Sequence, residues 1–260
     1  MSKLLDMFTQ AHRAQSSGGM GFVSKGKAEA KPRAAALVID FSEINAGAAE
    51  AAIKAGADGL LFSWDGKRTA ELETLKRAID AAKASGDNVV VGLHITGGWN
   101  KLESENLEQL KERGVNYIVL TLQAPARLLA MHIKDLELVV TVPMREGELY
   151  PNFMRNLTAF DTITAVCLDF GLASEVNSLT IEDAIHYRAV REAVRFPALL
   201  NVQSDMSEAD AYTLTTLGMQ AVILPASDTE ATTKKQIKAL RELLEKVYHE
   251  DKDQPVSLKA

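Results

Sequence analysis

The fold of this chain is decided by the stretch Ala34-Ala35-Ala36-Leu37-Val38-Ile39-Asp40-Phe41-Ser42-Glu43. Its apolar residues follow one another without polar alternation, which is typical of a parallel strand covered on both faces. Asp40 lies at the end of this run, and an Ala-rich helical pattern follows over 46–55 with Asn45 as its candidate N-cap. The stretch therefore predicts a strand, a polar tip and an amphipathic helix, in that order.

The same unit recurs about eight times along the chain, which is the number that a TIM barrel requires. The predicted strands are 35–40, 59–63, 89–94, 117–121, 136–142, 163–169, 198–202 and 221–224. A helix is expected after each strand, including one at 126–133 and a long charged one at 234–248, whereas the segment 145–157 is the least regular. We therefore predict an α/β fold, a (β/α)8 TIM barrel over 34–249, with a polar tail at 250–260.

An N-terminal extension precedes the barrel. Residues 2–15 place Leu4, Leu5, Phe8 and Ala11 at helical spacing, which predicts an amphipathic helix. This helix is expected to dock on the barrel wall, on its closed end, or on a second copy of the chain, so a homo-oligomer is one expectation. The linker up to residue 33 is rich in Ser, Gly and Lys, and its segment 21–28 fits GxxxxGK. It lacks the flanking strand, the helix and the Ser or Thr of a nucleotide-binding loop, so we interpret it as a basic connector.

Composition limits the classes of partner. The 260 residues carry a net charge of −6 with a pI near 5.5, which gives no long-range attraction to nucleic acid or to anionic lipid. No apolar run approaches the roughly 18 residues of a membrane span, and the N-terminus does not show the pattern of a signal peptide. The single cysteine, Cys167, lies in an apolar run and is interpreted as a core residue in a reducing compartment. We expect a cytoplasmic protein with neither a nucleic-acid nor a membrane partner.

Three helix-to-strand joints have similar sequences. They are centred on Gly56, Gly114 and Gly218, and each glycine is followed within a few residues by an apolar strand. This pattern predicts a left-handed helix cap at each glycine. Such joints would lie at the N-terminal face of the barrel, where similarity reflects stability more than chemistry.

The joint Ala55-Gly56-Ala57-Asp58-Gly59 and the run from Asn201 to Leu224, including Asn201-Val202-Gln203-Ser204-Asp205 and Glu208-Ala209-Asp210-Ala211, resemble the aldolase-type TIM barrels. The resemblance covers the barrel and implies its fold. In the phosphate-binding branch of that group, glycine-rich loops after strands 7 and 8 hold a phosphate. Here the two loops are Gln203-Ser204-Asp205 and Pro225-Ala226-Ser227-Asp228, and neither contains glycine.

Polar residues at the strand tips define the expected site, because active sites of such barrels lie at the carboxyl ends of the strands. They are Asp40, Ser63, Trp64, Asp65, His94, Trp99, Thr121, Gln123, Arg145, Glu146, Asp169, Asn201, Gln203, Asp205 and Ser227. Among them, Asp40, His94 and Asp169 form an acid and base set, since histidine titrates near neutrality and a carboxylate can tune it. The same three could hold a divalent cation, although their spacing matches no ligand motif.

Substrate binding is assigned to residues around that set. Trp64 and Trp99 fall on neighbouring loops and are expected to form a pocket wall or a lid, or else to pack on the barrel rim. Asp65, Gln123, Asn201 and Gln203 are further candidate contacts. Cations also occur near the mouth (Lys67, Arg68, Lys101, Arg127 and Arg145), which favours an anionic substrate, with Arg145 as the strongest candidate.

The expected function is that of an enzyme, of lyase or isomerase type, that acts on a small anionic metabolite. No lysine lies near the carboxyl end of a strand, which argues against a Schiff-base mechanism. No glycine fingerprint for a nucleotide or a flavin is present either. A divalent metal is therefore the cofactor that the sequence leaves as an alternative. The alternative is a barrel that binds or scaffolds without catalysis, because the fold alone does not specify a reaction.

Overall fold

The computed structural model describes residues 2–13, 31–86, 88–145, 147, 149–169, 176, 179–203 and 205–253. Eight parallel strands pair in sequence order, and β8 pairs with β1 to close the barrel. The strands are β1 Ala36–Phe41, β2 Gly59–Trp64, β3 Val90–Ile95, β4 Tyr117–Leu120, β5 Glu137–Pro143, β6 Ile163–Asp169, β7 Ala198–Asn201 and β8 Ala221–Pro225. The predicted (β/α)8 architecture is confirmed.

The helices alternate with the strands. They are α1 Lys3–Ala11, α2 Ala46–Ala55, α3 Thr69–Ser85, α4 Ser104–Glu112, α5 Tyr150–Met154, α6 Ile181–Val194, α7 Glu208–Thr216 and α8 Glu230–Asp253. Asn45 caps α2 as predicted, since its side chain accepts a hydrogen bond from the Ala48 amide. The predicted capping boxes at Thr180 and Ser207 are also confirmed.

The helix predicted at 126–133 is wrong. In the described stretch between β4 and β5, Ala126–Ala130 form a short 3₁₀ helix and no α-helix. The Arg127 guanidinium donates hydrogen bonds to the carbonyl oxygens of Leu102 and Trp99 at 2.6 and 2.7 Å. These bonds hold the connection between β4 and β5 against the loop that follows β3. Near the end of the connection, Asp135 has a positive φ of 65°. The helix predicted from residue 234 also begins earlier, at Glu230.

Helix α1 closes the N-terminal end of the barrel. Its apolar face (Leu4, Met7, Phe8 and Ala11) belongs to the same buried cluster as inward-facing strand residues such as Val38 and Tyr117; we name this cluster the inner cluster. The Leu4 amide donates to the Glu137 carboxylate at 3.1 Å. Of the three docking positions expected from the sequence, the structure has the closed end. The apolar face that a second copy would have needed is therefore buried inside this chain.

The three similar joints have a common hydrogen-bond pattern. Gly56, Gly114 and Gly218 have φ values of 112°, 101° and 80°, which confirms the predicted left-handed caps. Two residues after each glycine, a side-chain oxygen accepts the amide N–H at or near the start of a neighbouring strand. These bonds are Asp58 from Leu37 (2.8 Å), Asn116 from Val91 (2.9 Å) and Gln220 from Ala198 (2.7 Å). The repeat therefore fixes strand starts at the closed end.

Two predicted segments stay largely outside the described residues. The linker up to residue 33, with its GxxxxGK-like segment 21–28, is described only at 31–33, and the tail 250–260 only over its first residues. Within the described part of the chain, no helix is long and apolar enough to cross a membrane.

Candidate functional site

A ring of polar side chains faces the barrel axis at the carboxyl ends of the strands. On β1, Ala36 and Val38 belong to the inner cluster, whereas Leu37 and Ile39 pack outward against the helices, so Asp40 faces inward. The same alternation turns one polar side chain inward near the end of each of the first seven strands. This set, which we name the mouth ring, is Asp40, Ser63, His94, Thr121, Thr141, Asp169 and Asn201. The interior therefore changes from apolar beside α1 to polar at the opposite end.

Burial shifts the pKa values of Asp40 and His94 in opposite directions. Burial raises the pKa of the Asp40 carboxyl from 3.8 to about 6, because burial disfavours its anion. Burial lowers the pKa of the His94 imidazole, because it disfavours the cation. At neutral pH the carboxyl is mostly ionised and the imidazole mostly neutral. A carboxylate base and a neutral imidazole in one barrel mouth are groups that can take part in proton transfer.

Both groups also keep buried atoms without a hydrogen-bond partner. Within the described part of the chain, Asp40 Oδ1 and His94 Nε2 have none, and Thr121 Oγ1 and the Tyr117 hydroxyl share this property. A buried polar atom without a partner costs about 1–3 kcal/mol, and native proteins contain few of them. Four such atoms therefore lie on β1, on β3, and on or just after β4, and all four face the barrel interior.

Asp169, the third predicted catalytic residue, faces the same interior from β6. Its charge and that of Asp40 both act on Cys167, whose pKa is raised to about 12, mainly by burial and further by the two carboxylates. The thiol is thus a core group, as predicted. Among the described residues, no three or more His, Cys, Asp and Glu side chains are grouped to hold a metal ion. Asp40, His94 and Asp169 therefore share the mouth ring but are not arranged as a set of metal ligands.

Tyr117 is a site residue that sequence reasoning missed. It belongs to the inner cluster, and the registers Asp40↔Leu61, Leu61↔Gly92 and Gly92↔Tyr117 connect its strand to that of Asp40. Its ring occupies the space that a side chain at Gly92 would need, and its exposure is 0%. Burial, with further contributions from Cys167, Asp40 and Glu137, raises the pKa of its hydroxyl. A glycine inside an apolar strand was the signal that could have indicated this close approach.

The two tryptophans differ from the expected pocket wall. Trp64 packs in the layer between strands and helices, with 5% exposure, and its indole N–H donates to the Arg68 carbonyl. Trp99 is partly buried against the same layer and donates to the Ile95 carbonyl at 3.1 Å. Neither side chain belongs to the inner cluster, so the structure places both on the rim, which was the other interpretation of their pattern.

The remaining predicted contacts separate into interior and loop residues. Asn201 belongs to the mouth ring, and Gln203 is partly buried just after β7. Asp65 accepts hydrogen bonds from the amides of Lys67 and Arg68, so it shapes its own loop. Gln123 and Arg145 are exposed on their loops. The structure therefore brings Asn201 near the three predicted catalytic residues and leaves Asp65, Gln123 and Arg145 outside the barrel interior.

A groove of about 370 Å³ lies beside the mouth ring, between the loops that follow β8 and β1. Its lining includes Asn45, Thr233 and three acidic residues, Glu43, Asp228 and Glu230. Its lysine, Lys234, is paired with Glu230 at 2.7 Å. This groove is therefore acidic.

Comparison with known proteins gives structural neighbours. No protein-family model and no curated protein matches the sequence. The chain is similar in structure to tryptophan synthase from Mycobacterium tuberculosis, with a TM-score of 0.61 and 13% identity over 82% of this chain and 93% of that one. It is also similar to thiamine phosphate pyrophosphorylase from Pyrococcus furiosus, with a TM-score of 0.59 and 12% identity over 83% and 98%.

A third neighbour is orotidine 5'-phosphate decarboxylase from Pyrococcus horikoshii, with a TM-score of 0.57 and 10% identity over 80% of this chain and 98% of that one. These neighbours are enzymes of the aldolase-type TIM-barrel group. At such identities the similarity establishes architecture and not reaction. The protein therefore has the (β/α)8 TIM-barrel fold that these neighbours share.

Proposed function

We propose that this protein is an enzyme of lyase or isomerase type that moves a proton on a small metabolite bound in the mouth ring. The observation that carries the proposal is the pair of buried, unpartnered acid–base atoms, Asp40 Oδ1 and His94 Nε2. The enzymatic nature of the structural neighbours supports it further. The acidic composition and single cysteine support a cytoplasmic location.

Asp40 acts as the general base in this proposal. With a pKa of about 6 it is ionised at neutral pH and still basic enough to accept a proton from an activated C–H or O–H group. His94, neutral under the same conditions, donates a hydrogen bond to the substrate oxygen on which charge develops. Asp169 and Asn201 orient the substrate from the opposite side of the ring. Proton abstraction occurs in both lyase and isomerase reactions, and these two groups do not distinguish between them.

Solvent exchange tests the proposal even while the product of the reaction is unidentified. The protein is incubated in D₂O with a panel of hydroxy and keto metabolites, and deuterium incorporation at carbon is followed by NMR. Asp40→Asn and His94→Gln are expected to abolish incorporation. Asp161→Asn, an exposed carboxylate ahead of β6, is the matched control and is expected to leave the rate unchanged. Incorporation that survives Asp40→Asn contradicts the assignment.

The pH profile provides an independent check. Because the Asp40 base must be ionised, the rate is expected to rise as the pH passes through about 6 and to level off above it. A barrel that only binds its ligand gives no exchange at any pH, and that result favours the non-catalytic alternative.

A further inference from the structure

In the described part of the chain, no positive counter-charge lies in the interior of the mouth. Among the described residues of the eight strands, those that face the barrel axis include neither Lys nor Arg. The acidic side chains there are Asp40 and Asp169. A phosphate or carboxylate brought among them would lose its hydration without gaining a cation and would meet like charge.

The cations expected around the mouth bind other groups of the protein or lie outside the barrel interior. Arg127 binds the carbonyl oxygens of Leu102 and Trp99. Arg68 pairs with Asp65 and Glu71 at 3.3 and 2.8 Å. The neighbouring groove is lined by acids, and its lysine is paired with Glu230. The anionic substrate expected from the sequence therefore depends on exposed loop residues such as Arg145.

The mouth ring is rich in groups that both donate and accept hydrogen bonds. Ser63, Thr121 and Thr141 supply hydroxyls, and Asn201 supplies an amide. Ser63 and His94 are paired in register, so two such groups are adjacent on β2 and β3. A hydroxyl group of a ligand has the same dual character and satisfies such partners without charge.

We propose that the ligand is an uncharged, polyhydroxylated small molecule, a sugar or a sugar alcohol without a phosphate group. The inference rests on the proposed function for the location of the site, and it replaces the anionic substrate with a neutral one. The carboxylates accept hydrogen bonds from its hydroxyls, and the ring hydroxyls bind its oxygens.

Pairs of ligands that differ only in a phosphate group test the effect of ligand charge on binding. Binding of D-ribose and of D-glucose to the full chain is measured by ligand-detected NMR and titration calorimetry, and each sugar is compared with its own phosphate monoester. At least one neutral sugar is expected to bind, and its monoester to bind about tenfold or more weakly, which corresponds to about 1.4 kcal/mol. Tighter binding of the monoester, or no binding of either neutral sugar, overturns the inference.

A charge introduced into the ring sharpens the test. Ser63→Lys is expected to reverse the preference toward the monoester, whereas Ser63→Ala, which removes the hydroxyl alone, is expected to keep it. If Ser63→Lys fails to fold, the same comparison is made with Thr141→Lys. A preference unchanged in a folded lysine variant counts against a ligand in the ring. Sugar binding without deuterium exchange overturns the proposed function and leaves this inference standing.

Discussion

The two ends of the barrel differ in how their acidic side chains are paired. At the end closed by α1, the Arg33 guanidinium makes two hydrogen bonds to the Asp58 carboxylate, at 2.6 and 2.7 Å, and Asp58 also accepts the Leu37 amide. At the other end, Asp40 and His94 keep buried atoms without partners in the described part of the chain. Polar groups that are paired inside the protein stabilise it, whereas polar groups left unpaired cost stability and are available to a ligand. Among the described residues, the acid at the closed end is therefore paired, whereas Asp40 at the other end keeps an oxygen without a partner.

The largest expected effect is at the closed end. Arg33→Met removes one partner of a buried ion pair and leaves the Asp58 charge uncompensated, so the free energy of unfolding is expected to fall by about 3–5 kcal/mol. Urea denaturation followed by circular dichroism measures it. Arg68→Met, which breaks an exposed pair at the mouth, is the control and is expected to change nothing measurable. Equal losses in the two variants would remove the distinction between the ends.

The next effect has the opposite sign and depends on pH. The Asp40 pKa is 3.8 in the unfolded chain and about 6 in the fold, so the folded state loses stability as the pH rises through this window. Asp40→Asn removes the cost and is expected to stabilise the protein by up to about 3 kcal/mol above pH 7. The gain should disappear below the unfolded pKa. Urea midpoints at several pH values measure it, and a gain independent of pH would contradict burial as its cause.

Gly92→Ala tests the close approach of Tyr117. A Cβ at this position overlaps the Tyr117 ring, so the variant is expected to lose about 1–3 kcal/mol through overpacking. Gly47→Ala, in α2 and without a close contact, is the control and is expected to be neutral or slightly stabilising. Thermal unfolding of both variants gives the comparison; equal melting temperatures would show that Tyr117 can move aside.

The smallest effect concerns the Tyr117 hydroxyl. Tyr117→Phe keeps the ring and removes a buried hydroxyl that has no partner among the described residues, so a gain of about 1 kcal/mol is expected. The same change should weaken ligand binding if the hydroxyl contributes to the site. A loss of stability would instead show that a buried water satisfies the hydroxyl in the free protein.

The sequence alone was sufficient to predict the local features of the fold. Unbroken apolar runs, glycine caps and capping boxes predicted all eight strands within about two residues and most helices. It failed at 126–133, because helical spacing around Leu128 did not reveal that Arg127 would bind the backbone of the preceding loop. It separated Asp58, in a joint at the N-terminal face, from Asp40, at a strand tip, but it did not show whether either acid would have an ion-pair partner. One ends as an ion-pair partner and the other is buried without one.

The sequence by itself predicted the barrel, because the order of apolar strands and amphipathic helices can be read along the chain and eight such units match a TIM barrel. It also determined which residues stand at the strand tips. The tertiary structure decided which of them face the axis. Packing places Tyr117 in the inner cluster with α1, and the alternation along β2 turns Trp64 into the helix layer. Burial and hydrogen-bond pairing depend on contacts between distant strands, and these decided which tips stabilise the fold and which remain for a ligand.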